Sequence, residues 1–382
     1  MRIVGLDLGA DHTEFCELVD GKVIRASVRE IDELRRFLGP GKEPARVAFE
    51  ACREGWHVHD KLLAWGHEPV MLDTTRIKEI GVGRHRRKND KIDAEVIARA
   101  LESGRYPQAH VLSPARRDLR KRLSIRSALV ESRTKLIVTI RGLARAIGAK
   151  IGRGQPATFL EKVARAKLPD ELRRDIAPLV EVLARIQNQL EQVERELVSV
   201  AKQDPIICLL ATAPGVALIV AATYASVIDE ARRFRNAQAV GCYVGLVPGE
   251  DTTGGPKKRR LGSISRAGNN MVRAMLVEAA WQILRGRDTD DPLYQWGNHV
   301  AEKRGRKIAA VALARKLATV LYAMWRDNTV YEPAKQARSS IRGIRRAHQN
   351  EQLRTIALAH SVAKFERRLR KNPRRTDSQP AQ

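Results

Sequence analysis

The sequence predicts an α/β domain at its N-terminus, then a long helical arm and a mostly helical C-terminal domain. Three observations carry this. Short apolar runs of strand length alternate with polar turns as far as residue 72. After Ser113-Pro114 the composition changes to long, Arg-rich helical stretches. Leu179, Leu183, Ile186, Leu190, Val193, Leu197 and Val200 then repeat at alternating steps of four and three, a heptad seam. The boundaries fall at 1–110, 114–203 and 204–332, with a basic tail over 333–382.

Taken in order, residues 2–8, 13–19 and 22–28 read as strands, the last two joined at the hairpin signal Asp20-Gly21. A short helix over 30–38, a strand over 46–50, a helix over 53–65, a strand over 68–72 and a helix over 90–103 follow. Three antiparallel strands followed by alternating helices and strands is the order of a ribonuclease H-like fold. In that fold the first strand, the fourth strand and the last helix converge. Asp7 closes the apolar run of Ile3, Val4 and Leu6, and Glu50 closes that of Val47, Ala48 and Phe49, so each emerges at a strand end. Asp90 and Asp93, spaced i, i+3, share one face of a helix. Carboxylates brought together repel unless a divalent cation neutralises them, and hard oxygen donors suit Mg²⁺ or Mn²⁺. Two such ions can activate a nucleophile and stabilise a leaving oxygen at a phosphodiester. Asp7 alone, in GLDLGAD, also fits the first phosphate loop of sugar-kinase and actin-like ATPases, but the second glycine-rich loop such an ATPase needs is missing.

The heptad stretch makes either an intramolecular helical hairpin or a dimerising coiled coil, and in both cases a spacer arm. The C-terminal domain opens near residue 205, where Pro214-Gly215 divides two apolar helical stretches, as a helix-hairpin-helix or an ordinary helix break would. A Gly-rich basic loop, GLVPGEDTTGGPKKRRLGSISRAGNN, precedes helices around 270–285 and 307–326. The tail carries Arg345-Arg346, Arg367-Arg368 and Arg374-Arg375, and its last residues read as disordered.

With 70 Lys and Arg against 44 Asp and Glu, the net charge of +26 predicts a polyanionic partner. Nucleic acid is favoured over membrane, since no uninterrupted apolar run reaches spanning length and MRIVGLDLG lacks a signal-peptide layout. Cys16, Cys52, Cys208 and Cys242 form no CxxC pair, which argues against a zinc ribbon or disulfide framework and for a reducing, cytoplasmic, nucleoid-associated setting. Arg84, His85, Arg86, Arg87 and Lys88 abut the carboxylates in sequence and are candidates for the scissile backbone. Lys257, Lys258, Arg259, Arg260 and Arg266 flank glycines that permit close approach to phosphate. His57 and His59 face different ways on a helix and read as structural, and the five tryptophans, Trp56, Trp65, Trp281, Trp296 and Trp325, read as core.

The combination of DLG, FEA, KNDKIDA and GLVPGEDTTGGPKKRRLGSISRAGNNMVRAML resembles the DEDD-type insertion-sequence transposases related to the Piv site-specific DNA invertase, over roughly residues 1–330. The resemblance implies an N-terminal domain like Holliday-junction resolvases, with metal held by Asp7, Glu50, Asp90 and Asp93. It implies a C-terminal hydroxyl that attacks DNA, a structured noncoding RNA that pairs with target and donor DNA, and a homo-oligomer, dimer or tetramer, in which one subunit's metal domain works beside another's C-terminal loop. Where many members carry a serine-bearing triplet, this chain reads Thr252-Thr253-Gly254. Thr253 ranks first as nucleophile and Thr252 second, ahead of Ser263 and Ser265. The reading is thus a transposase or recombinase working by Mg²⁺-dependent transesterification. Its alternatives are a water-using junction resolvase and a non-catalytic nucleic-acid-binding remnant of a decayed element.

Overall fold

The protein is described by a computed structural model over residues 1–9, 11–20, 22–74, 76–77, 90–251, 260–286 and 288–333. The chain divides into two compact units, one ending at Leu112 and one beginning at Ser113.

The first unit is built on a five-stranded sheet of β1 (Arg2–Leu8), β2 (Thr13–Val19), β3 (Lys22–Val28), β4 (Ala45–Glu50) and β5 (Glu68–Leu72), in spatial order β3-β2-β1-β4-β5. The strands predicted over 2–8, 13–19, 22–28, 46–50 and 68–72 are therefore all present. β1, β2 and β3 pair antiparallel, and Asp20 takes φ 48° at the two-residue turn that Val19 and Lys22 close. β4 lies parallel to β1, and β5 parallel to β4. Parallel neighbours need crossovers. A 3₁₀ turn running into α1 (Arg35–Leu38) makes the first, and α2 (Gly55–Ala64) the second. Both pack on one sheet face, where Val4, Leu6, Phe15, Val47 and Phe49 meet Leu34, Leu38, Val58 and Leu62. The opposite face is covered by α3 (Asp90–Glu102), whose Ile97 and Leu101 bury Ala48, Val70 and Leu72.

The second unit opens at Ser113. Ser113 is the N-cap of α4 (Pro114–Ala146), with Pro114 in the first turn and the Ser113 Oγ accepting from the Arg116 N–H. Asp229, held at φ 58°, accepts from both the amide and the hydroxyl of Ser113 (3.0 and 2.7 Å). α5 (Phe159–Arg165) then turns the chain into α6 (Asp170–Gln203), which packs along α4. Of the predicted seam, Leu183, Leu190 and Leu197 are buried, Leu179, Ile186 and Val193 half-buried, and Val200 exposed. The α4 and α6 termini nearest the body share its core, since Leu119, Leu123, Leu197 and Val198 belong to one cluster with the helices that follow.

Those helices are α7 (Pro205–Leu210), α8 (Leu218–Ile228), α9 (Ala237–Tyr243), α10 (Asn270–Leu284), α11 (Pro292–Arg304) and α12 (Arg306–Asp327). Every residue of α8 is buried, as a helix apolar on all sides requires. The Pro214-Gly215 break leads into this central helix. By length and composition α12 passes for a membrane span, yet Leu313, Leu317 and Leu321 are fully buried in the core of the unit and Arg315 and Lys316 interrupt it. A two-stranded hairpin of β6 (Pro248–Asp251) and β7 (Arg260–Ile264) lies between α9 and α10. The tryptophans sit half-buried against the two larger cores.

Candidate active site

The site begins with a contact that only glycine allows. A Cβ on Gly5 would stand 2.2 Å from the Ala94 carbonyl oxygen and 2.6 Å from the Ala98 amide, so the α3 backbone lies directly on β1. Ile3, two residues earlier on the same face, packs with Ile97 and Leu101. The helix therefore runs antiparallel to β1, and its first turn lies toward the end of β1 that carries Asp7. The register supplies the rest. Gly5 pairs with Ala48 and Leu6 with Phe49, so Asp7 and Glu50 follow side by side on the face α3 covers. Asp93, 8% exposed, projects from that first turn of α3.

The same row contains a carboxylate that sequence reasoning missed. Glu14 pairs with Asp7 across the β1–β2 ladder, is only 4% exposed, and has the His12 Nε2 3.6 Å from its Oε1. Cys16 and Leu18, at period two from it, were the available signal that Glu14 faces inward. That signal was masked because Glu17, on the other face, is also buried, where it accepts from the Arg2 Nη2 at 2.9 Å.

Two further features fix this region chemically. Glu95 on α3 accepts from the Arg99 Nε at 2.8 Å and from Arg25 on β3, and these contacts hold its carboxyl below the usual range, the Arg99 hydrogen bond contributing most. The helix is thereby tied to the edge of the sheet. Cys16 lies buried against Ala94 and Ala98, and burial, followed by the charge of Glu95, pushes its thiol up to about 11. It is a neutral thiol and a poor metal ligand. Among the described residues, the donors at this end of the sheet are thus carboxylate oxygens, with the His12 imidazole beside them.

The structure brings Asp7, Glu50 and Asp93 to one end of one sheet face but not into a cluster. Among the described residues no three His, Cys, Asp or Glu side chains gather closely enough to hold a metal ion. The backbone of Asp90 starts α3, but its side chain lies outside the described residues, as do Arg84, His85, Arg86, Arg87 and Lys88. His57 is exposed, and His59 contacts Asp60 at 3.1 Å.

In the second unit the predicted nucleophile loop falls between β6 and β7. Asp251 pairs with Arg260, so the connecting segment leaves and returns at one point of the hairpin. Thr252, Thr253, Lys257, Lys258 and Arg259 lie outside the described residues, as does the side chain of Arg260. The base of the hairpin is well defined. Ser265 donates its amide to Val247 at 2.8 Å, and Arg266, exposed at φ 55°, donates its amide to Gly245 at 3.2 Å. Gly245, at φ 69°, leaves room for the Ala267 carbonyl, which a Cβ would meet at 2.0 Å. Ser263 and Ser265 are both exposed.

Comparison with known proteins finds transposase domains in both units. Residues 4–148 match a DEDD transposase model of the IS110 type, and residues 208–295 match the model described as transposase IS116/IS110/IS902 family. The chain carries IS110/IS116/IS902 family transposase domains. The first match covers the carboxylate-bearing unit from Val4 onward and runs on through α4, and the second contains the β6–β7 hairpin. Relatives extend along most of the chain. The transposase for insertion sequence element IS1111A of Coxiella burnetii is 27% identical over 340 residues, 87% of this chain and 91% of that protein. The transposase for insertion sequence element IS1328 of Yersinia enterocolitica is 26% identical over 87% of this chain and 98% of its own length. A protein of Pseudomonas aeruginosa named "Probable family 20 transposase" is 29% identical over 76% of this chain and 86% of its own. The protein is a DNA transposase, and a divalent-metal dependence goes with its DEDD domain.

Proposed function

We propose that this transposase cuts and rejoins DNA strands by transesterification, with Asp7, Glu50, Asp90 and Asp93 as its metal-binding carboxylates. The N-terminal unit then acts as a ribonuclease H-like, junction-resolvase-like catalytic domain. The observation that carries the proposal is the shared placement of Asp7 and Glu50 beside the first turn of α3, with an oxygen-rich donor set suited to a hard cation. Mg²⁺ or Mn²⁺ bound there supplies charge neutralisation at the scissile phosphate. Gly5 keeps α3 close enough to bring Asp93 to the row, and the Arg25–Glu95–Arg99 cluster holds the helix in register.

The Thr253 hydroxyl is the proposed nucleophile, with Thr252 behind it. Its Oγ1 forms a bond to phosphorus as the bond from phosphorus to the 3′-oxygen breaks, and the hydroxyl proton ends on the departing 3′-oxygen. A later attack by a 3′-hydroxyl on the threonine phosphodiester restores Thr253 and joins the new strands. Lys257, Lys258, Arg259, Arg260 and Arg266, together with Arg84, Arg86, Arg87 and Lys88, neutralise backbone phosphates along the path. An element-encoded structured RNA guides the choice of DNA, and the working form is a homo-oligomer in which the α4–α6 arm serves as a coiled-coil spacer.

The test is strand exchange on DNA carrying the element's ends, with the flanking noncoding RNA supplied. Wild-type protein forms recombinant product and a trapped covalent adduct. Asp93→Asn abolishes product and retains DNA binding. Product formed without any adduct would assign the chemistry to a water-using resolvase instead.

A further inference from the structure

We infer that the far end of the α4–α6 arm is a second, sequence-independent binding site for the backbone of duplex DNA. The inference rests on the DNA-binding function of a transposase and is independent of the metal site. Residues 132–160 contain six cations, Arg133, Lys135, Arg141, Arg145, Lys150 and Arg153, and no carboxylate. Beyond them Lys162, Arg165, Lys167, Arg173 and Arg174 outnumber Glu161, Asp170, Glu171 and Asp175. An ordinary solvated helix face mixes its charges. The body-proximal half of α4 does so, with Asp118 between Lys121 and Arg122. At the far end, Lys135, Arg145, Lys150, Arg153, Arg165 and Lys167 make no ion pair among the described residues, and all but Lys135 lie in its terminal turns and loops.

The end of the arm is also built rather than frayed. Ile140, Ala144, Phe159, Val163, Leu168 and Ile176 form a separate core there. The loop between α4 and α5 is pinned by cations that donate to its carbonyls, Arg141 to Gly152 at 3.2 Å and Lys162 to Arg153 at 2.8 Å. Arg173 closes the other side by donating to Leu168 and Ala166. These three hold the scaffold, and Arg145, Lys150 and Arg153 are left exposed on it. A loop already pinned in this way spares the cost of ordering its backbone when its cations meet phosphate.

Two features favour duplex DNA over single strands. Single-stranded binding uses exposed aromatic platforms, and the aromatic of this tip, Phe159, is 1% exposed beneath the Arg141 guanidinium. Leu119, in the core of the body, and Ala144, in the core of the tip, are 25 residues apart on one helix. That is about 38 Å at 1.5 Å per residue, close to the rise of one turn of B-DNA, about 34–36 Å. A duplex lying along the arm presents phosphates to body and tip on the same side.

The experiment uses the full-length protein and a 40-bp duplex of arbitrary sequence (about four helical turns) in EDTA, with affinity followed across salt concentrations. The variant is Arg145→Gln/Lys150→Gln/Arg153→Gln, which leaves the pinning residues Arg141, Lys162 and Arg173 intact. Loss of three phosphate contacts lowers the slope of log K against log salt by about 2.7, at roughly 0.9 per contact. Across a fourfold rise in salt, wild-type binding therefore falls about 40-fold more than that of the variant. The charge-preserving Arg145→Lys/Arg153→Lys protein keeps the wild-type slope. An unchanged slope in the neutralised variant would overturn the assignment. So would a loss confined to structured RNA, or a salt-independent loss accompanied by a change in oligomer mass.

Discussion

Gly5 is the residue on which the geometry of the site most depends. Its missing side chain is the space through which the α3 backbone reaches β1. Gly5→Ala forces the helix off the sheet, with an expected cost of about 3 kcal/mol, measured by chemical denaturation. Catalysis should fall further than stability explains, because Asp93 moves with the helix. Glu14 offers a second test at this scale. A carboxylate this buried, with the His12 imidazole 3.6 Å away, has lost most of its hydration and gains from a cation in the Asp7 row. Glu14→Gln should leave the melting temperature unchanged or raise it while weakening Mn²⁺ binding by about tenfold. A lowered melting temperature with unchanged Mn²⁺ affinity would make Glu14 a structural residue. In the C-terminal loop, Thr253→Ala should remove the covalent adduct. Thr253→Ser should preserve or raise the rate, because the β-methyl that restricts its rotamers is gone; mass spectrometry of trapped adducts reads both. Asp7 and Glu50 were legible in the sequence as the polar ends of apolar runs. Glu14 was not, because TEFCELV carries an acid on each face and nothing local says that both are buried.

At the scale of elements, the attachment of α3 should depend on pH. The Glu95 carboxyl is held below its ordinary range, so its contribution to stability is complete above about pH 4.3, the value in an unfolded chain, and disappears as pH falls through the lower folded value. The difference in melting temperature between wild type and Glu95→Gln should therefore be largest near neutrality and close on acidification. A difference independent of pH would contradict this. The strands of the first unit were legible because each is a short apolar run bounded by turn residues, and the start of α4 because the composition turns Arg-rich and helical after Ser113-Pro114, where Ser113 proves to be the N-cap. The arm was legible as helix, but its ends were not. Leu119, Leu123 and Leu197 join the core of the body through contacts distant in sequence, which periodicity cannot register. The separate core around Phe159 escaped for the same reason.

At the scale of the molecule, the net charge of +26 is spread unevenly, and the far end of the arm is one of its concentrations. Binding to DNA should weaken steeply with salt for the whole protein, whatever the state of the carboxylates. Metal binding should depend on the carboxylates and not on the charge. The two properties are separable, and the central claim concerns the second. The most direct measurement is Mn²⁺ binding to the full-length protein by electron paramagnetic resonance, comparing wild type with Asp7→Asn and Asp93→Asn. The account predicts saturable binding in wild type and a loss of at least about 100-fold in affinity in each variant, with DNA affinity in EDTA unchanged. Equal Mn²⁺ affinity in all three proteins would contradict it, because the row formed by β1, β4 and α3 would then not be the metal centre of this transposase.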